Sequence, residues 1–256
     1  MTITEAVVSG IVQGLTEFLP VSSSGHLVLV HSIFGLEEPK IFFDICLHAA
    51  TLLAVVIYFA GDIYELARGR KFKWLIFLAI GTVPAVLAAL LFEERITAFF
   101  TSPVKVAYML LVTAAVLFAG QLSLWKRKAA GKEISYMTSM SVGVAQAFAL
   151  LPGISRSGAT VSAGLAGGVR AEEAFRFAFL LSVPAILGAL AYKIIKEGPG
   201  VAAGSGFLSY AAGAAAAFVT GLLGLRLLWW VIKSRRLYIF SAYCLVLGLT
   251  VILFFK

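Results

Sequence analysis

The sequence predicts an all-α polytopic membrane protein: six transmembrane helices plus two re-entrant helix-loop-helix segments, arranged as an inverted-topology repeat. Three observations carry this reading. Hydrophobic residues make up 61% of the 256 positions and charged residues only 13%, about half the charge of an ordinary soluble domain. Apolar runs of about 20 residues recur along the chain, the length needed to cross a bilayer as a helix. Two further apolar regions are each broken by a polar, glycine-containing turn, and these two resemble one another.

The mean hydropathy is +0.97. The net charge of +8 is therefore read against a membrane rather than a nucleic acid, because the basic residues cluster in short loops between apolar runs. Cys46 and Cys244 both lie inside apolar runs and are expected to act as small hydrophobes without a disulfide. The N-terminus has neither a basic region nor a small-residue cleavage site, so no removable signal is expected. With so little polar sequence, a single membrane domain over 1–256 is predicted.

In chain order, the first region, about 3–34, is interrupted at "PVSSSG". Each half is shorter than a span, so it reads as two half-helices that enter the membrane, turn and leave on the same side. Broken backbone at that depth is tolerated only where it is buried in protein or lines a cavity. Full spans are predicted at about 41–61, 73–92 and 104–125. A second broken region, about 137–168, is interrupted at "PGISRSG". Three more spans follow, at about 173–193, 207–231 and 237–255.

A shift of about 133 positions lays one broken region on the other. Gly10 falls on Gly143, Gln13 on Gln146, Ser22 on Ser155, Ser24 on Ser157, Gly25 on Gly158 and Phe42 on Phe175, while Pro20 and Pro152 miss by one place. The unit is one broken segment plus three spans, over about 3–125 and again over about 137–255. Three spans is an odd number, so the second copy is expected upside down. Charge supports this. With both broken segments re-entrant, basic residues concentrate in the inner loops around Arg68–Lys73, Lys126–Lys132 and Lys233–Arg236, at about two to one over the outer side. Both termini then lie outside.

Inverted re-entrant loops meet near the membrane midplane. The second half-helix of each begins at its serine-glycine turn, so free N–H groups and a positive dipole end point into a shared cavity, an arrangement suited to phosphate. Serine hydroxyls add donors, and Arg156, opposite Ser23 in the repeat, adds a planar charged fork. The bland readings are a capped turn for the serines and a buried-acid partner for Arg156. Only the first copy carries Glu17 and His26; their counterparts are Leu150 and Ala159. A carboxylate one turn before the break can hold a divalent metal or act as a base, and a histidine just after it can exchange protons or attack phosphorus. Asp44 and His48 share a helix face at i, i+4, either as supporting partners or as an outer-rim pair. Gly10-x-x-x-Gly14 reads as a close-packing face. The whole suits a substrate with a phosphate head and an apolar tail.

At these residues the chain resembles the undecaprenyl-diphosphate phosphatase family, known also for bacitracin resistance. The likeness rests on an (E/Q)-x-x-x-E motif, here Gln13 to Glu17, followed by "FLPVSSSGH", and on "PGISRSGAT", Pro152 to Thr160. "FFDICLHAATLLAV" resembles the family's next span, and the likeness runs almost end to end. It implies removal of the terminal phosphate of undecaprenyl diphosphate, which recycles a lipid carrier for peptidoglycan synthesis. The implied place is the bacterial plasma (inner) membrane, with the active site toward the outer, periplasmic face. It implies a divalent cation cofactor, Mg or Ca, held by Glu17 and Gln13; glutamine leaves one fewer negative ligand than the glutamate of many members. It implies catalytic roles for Glu17, Ser23, His26 and Arg156, with substrate binding by Ser22, Ser24, Gly25, Ser155, Ser157 and Thr160. Whether Ser23 or His26 attacks phosphorus stays open. The expected partners are the isoprenoid diphosphate lipid and membrane lipids, with no nucleic acid; a homodimer is compatible with the sequence but not specified by it. The rival class is a transporter of a polyisoprenyl phosphate or another anion, which shares inverted-repeat architecture but needs no nucleophile beside a base. The acid-phosphatase-like lipid phosphatases are excluded by the missing Lys-x6-Arg-Pro motif.

Overall fold

The structure, a computed structural model, describes residues 1–34, 41–126, 131–197 and 206–254. These form twelve helices: α1 (Ile3–Phe18), α2 (Ser23–Phe34), α3 (Ile41–Tyr58), α4 (Ala60–Ala67), α5 (Phe72–Leu91), α6 (Glu93–Thr97), α7 (Pro103–Lys126), α8 (Tyr136–Phe148), α9 (Arg156–Ala166), α10 (Ala171–Glu197), α11 (Phe207–Lys233) and α12 (Tyr238–Phe254). Among the described residues the only β pairing is an isolated bridge between Lys132 and Val169.

Four helices, α5, α7, α10 and α11, are long and apolar enough to cross a bilayer. A fifth candidate is α3 with α4, bent by 75° at the break after Tyr58. The predicted span at 41–61 thus turns sharply near its end instead of continuing straight. The apolar α12 has 17 residues and falls just short of the same length. The short α6, between α5 and α7, has no counterpart in the sequence reading.

The two interrupted regions are interrupted in the fold. α1 stops at Phe18 and α2 begins at Ser23; α8 stops at Phe148 and α9 begins at Arg156. Each first half-helix packs mainly against the opposite half of the chain, α1 along α11 and α8 along α5. Small residues make this possible. A Cβ on Gly10 would sit 2.9 Å from the Gly213 carbonyl carbon, and one on Gly143 would sit 2.9 Å from the Gly81 Cα. These distances leave no room for any side chain. Gly10 and Gly143 are the pair matched by the 133-residue shift, so corresponding glycines make corresponding contacts. A Cβ on Gly14 would be equally crowded, 2.8 Å from the Gly221 nitrogen, as expected of a small-residue helix face.

The main core includes aromatic and aliphatic side chains of α1, α3, α10 and α11; Phe59, just after α3, and Phe175 and Phe179 are in mutual ring contact, and Phe18 meets Phe179 edge-on. A second cluster joins α7 and α12 through Leu110, Leu117 and Cys244. Both cysteines are free. Outward-facing residues are largely apolar too, for example Leu90, Leu91, Val246 and Phe254, as for a protein whose solvent is lipid. The chain is an integral membrane protein by this combination of apolar helices and apolar exterior.

Candidate active site

The two breaks meet. Ser22 adopts φ 69°, a left-handed conformation unusual for a residue with a Cβ. It turns its hydroxyl to accept from its own Gly25 N–H at 3.3 Å and from the Gly153 N–H of the other break at 3.0 Å. Gly153 needs its glycine: φ is 97°, and a Cβ there would sit 2.6 Å from that of Met109. Ser155 caps α9, its hydroxyl accepting from the Gly158 N–H at 3.1 Å, a usual N-cap arrangement. Thr113 on α7 fixes this second break, donating to the Gly153 carbonyl at 2.7 Å and accepting from the Ser155 N–H at 3.0 Å.

Glu17 sits at the seam, 7% exposed. Ser23 Oγ donates to its Oε2 at 2.6 Å and Gln13 Nε2 donates to the same oxygen at 2.9 Å. Arg156 Nη2 donates to Oε1, an ion pair that ties the two halves together across 139 residues of sequence. A buried carboxylate must have such partners, because removing it from water without them costs several kcal/mol.

A cavity of about 260 Å³ opens at this seam. Glu17, Ser22, Ser23, Ser24, Ser155 and Arg156 line it, six of the residues picked out from the sequence. The other five lie behind that wall or beside it. Gln13 backs Glu17. Gly25 gives the breaks their close approach, since a Cβ there would be 3.2 Å from the Gly153 Cα. Ser157 Oγ donates to the Leu19 carbonyl at 3.3 Å, and Thr160 Oγ1 to the Arg156 carbonyl at 2.8 Å. His26 turns away: Nδ1 lies 2.8 Å from the Ser22 carbonyl oxygen and Nε2 2.7 Å from the Tyr243 hydroxyl on α12. Nδ1 carries the proton if it donates to a carbonyl, so the neutral ring's Nε2 accepts from the tyrosine.

Several lining residues were not singled out as site residues. His48 is one: its Nδ1 is held by the Asp44 backbone oxygen at 2.9 Å, and its Nε2 is 4.0 Å from Glu17 Oε2. The i, i+4 spacing of Asp44 and His48 hinted at a shared face but not at this direction. Gln146 and Lys193 also line the cavity; the repeat correspondence with Gln13 was the available signal for Gln146.

The Glu17 carboxylate already serves Arg156, Ser23 and Gln13, but Gln13 Oε1 is buried without a hydrogen-bond partner. A carboxylate and an amide oxygen are hard ligands of the kind Mg and Ca take. Among the described residues no group of three or more His, Cys, Asp or Glu side chains is arranged to hold a metal. The donor set therefore fits an ion only if substrate oxygens complete it, as is common for Mg with phosphates.

Comparison with known proteins agrees with the motifs. The family described as bacitracin resistance protein BacA matches residues 6–250. An undecaprenyl-diphosphatase of Christiangramia forsetii is 42% identical over 265 residues, covering 99% of this chain and 98% of its own. One from Syntrophotalea carbinolica is 40% identical, covering 97% of each chain. One from Korarchaeum cryptofilum is 38% identical, covering 98% of this chain and 99% of its own. With a match from residue 6 to residue 250 and relatives at about 40% identity end to end, this chain belongs to the BacA bacitracin resistance family.

Proposed function

We propose that this protein is an undecaprenyl-diphosphatase, removing the terminal phosphate of undecaprenyl diphosphate to leave undecaprenyl phosphate for reuse as a carrier in peptidoglycan synthesis. The observation that carries the reading is the Ser23–Glu17–Arg156 chain at the seam of the two breaks, in a family whose curated relatives bear that name. A hydroxyl 2.6 Å from a carboxylate is a nucleophile within reach of its base, and a guanidinium beside it is a partner for phosphate.

In this reading Ser23 Oγ attacks the terminal phosphorus. An Oγ–P bond forms as the bridging P–O bond breaks, and its electron pair leaves with undecaprenyl phosphate. Glu17 takes the serine proton and returns it to the leaving phosphate. Water then gives a proton to Glu17 and attacks the same phosphorus; an O–P bond forms as the Oγ–P bond breaks, Glu17 returns the proton to Ser23 Oγ, and inorganic phosphate leaves. Arg156 shares one N–H with Glu17 and has further donors for the developing charge. Ser22, Ser24 and Ser155 line the same space as hydroxyl donors; Gly25, Ser157 and Thr160 hold the breaks in register. His26 supports the first turn from outside the cavity wall, which favours Ser23 over His26 as nucleophile. A divalent cation, Mg or Ca, would be held by Glu17 and Gln13 and would help neutralise the diphosphate.

The membrane arrangement belongs to the same proposal: six spans, two re-entrant segments, an inverted repeat, and the cavity open toward the outer face of the bacterial plasma membrane. The reciprocal packing of α1 on α11 and α8 on α5 supports it. The test is purified protein in detergent with a C15 or C55 isoprenoid diphosphate, scored for free phosphate. Release is expected, lost with a chelator and restored by Mg or Ca. Failure to release phosphate from either lipid, with metal present, rejects the reading.

A further inference from the structure

Gln146, near the end of α8, is 2% exposed, and neither atom of its side-chain amide has a hydrogen-bond partner. An unsatisfied buried amide is costly relative to a satisfied one. The repeat explains how it arose. Its counterpart Gln13 donates to Glu17 four residues later at 2.9 Å. In the second copy the residue four positions on is Leu150, so the internal acceptor is gone. The glutamine nevertheless stands in the cavity wall with Glu17, Ser23 and Arg156. Leucine or methionine would fill the same volume without the penalty. Beyond the serine hydroxyls, the lining offers few donors: Arg156 is partly committed to Glu17 and the other lining cation, Lys193, is exposed.

We propose that Gln146 is a substrate-binding residue whose Nε2–H₂ donates to a non-bridging phosphate oxygen of the isoprenoid diphosphate, a contact from the second half of the chain facing those of the first. This rests on the phosphatase reading for its substrate, but not on turnover for its test. Q146L and Q146M are expected to melt at or above the wild-type temperature, since each removes an unsatisfied group, while KM for farnesyl diphosphate rises about tenfold and kcat changes little, as for loss of one hydrogen bond to a charged group. Q146E, which sets a carboxylate against phosphate, should raise KM further. Binding is read separately by the thermal shift given by a methylene-bridged, non-hydrolysable farnesyl diphosphate analogue. Wild type should be stabilised, and Q146L, Q146M and Q146E much less so. Equal shifts in wild type and Q146M would overturn the proposal. So would a drop in melting temperature of both apolar variants with KM unchanged, which would make Gln146 structural. If wild type bound the analogue through Gln146 yet released no phosphate, the phosphatase reading would fail and this one would stand.

Discussion

The two broken segments have the same outline and different contents. Each interrupts a helix, caps the next one with a serine and packs its first half-helix on the far half of the chain through a matched glycine. The first break holds the carboxylate, the hydroxyl 2.6 Å from it and the histidine; the second holds the guanidinium and the unpartnered glutamine. The fold brings the two turns face to face, and in the proposed reading they carry different parts of the chemistry. The ion pair between Glu17 and Arg156 joins the two segments. Neither segment alone contains the carboxylate, the hydroxyl beside it and the guanidinium.

This contrast can be broken most severely at its acid. Glu17→Ala removes the base proposed for Ser23 and leaves Arg156 without its buried counter-charge. Phosphate release should fall by about a thousandfold or more, measured on the lipid diphosphate with folded protein confirmed by its melting curve; full retained release would make Glu17 structural only. A phosphoenzyme quenched from wild type should carry its phosphate on Ser23. Phosphate found on His26, with Ser23→Ala still active, would move the nucleophile.

The second loop's contribution is expected to be the next largest. Arg156→Lys keeps a positive charge but loses the planar fork that can hold Glu17 and phosphate together. A loss of about a hundredfold in kcat/KM is expected. Near-wild-type turnover would show that charge alone suffices there.

Smaller effects test the frame rather than the contents. Gly10→Ala and Gly143→Ala each push a Cβ to 2.9 Å from backbone atoms of α11 and α5. Both should destabilise by about 1–3 kcal/mol, seen as lowered melting temperatures with kcat largely kept in the folded fraction. Unequal losses would show that the two halves are less equivalent than their shared glycines imply. A cysteine placed at Lys132 should label from the inner side of oriented vesicles without changing activity; labelling from the outer side would contradict the inverted arrangement.

Much of this was legible in the chain because it is recorded locally. A hydropathic run states its own length. Four of the six predicted spans, at about 73–92, 104–125, 173–193 and 207–231, appear as helices long and apolar enough to cross a bilayer, while the first bends from α3 into α4 and the last appears as the 17-residue α12. A serine-glycine turn states where a helix must stop, and both predicted interruptions appear as breaks. The motifs from Gln13 to His26 and from Pro152 to Thr160 declare their family without any structure. Other features depended on neighbours that no local pattern encodes. The 75° bend after Tyr58 was not read from the sequence, although Gly61 stands in the first turn of α4. His26 and His48 show the limit well. Sequence placed one beside the serines and the other on a neighbouring span. Only the packed helices turned His26 toward Tyr243, 217 residues away, and brought His48 to Glu17. Gln146 was visible as the repeat partner of Gln13, but its isolation needed the fold, because burial and the absence of a partner are properties of surroundings. The physical reason is the same throughout: periodicity and capping are decided by residues within a few positions of each other, whereas the direction of a side chain and the company of a buried charge are decided by helices that meet from distant parts of the chain.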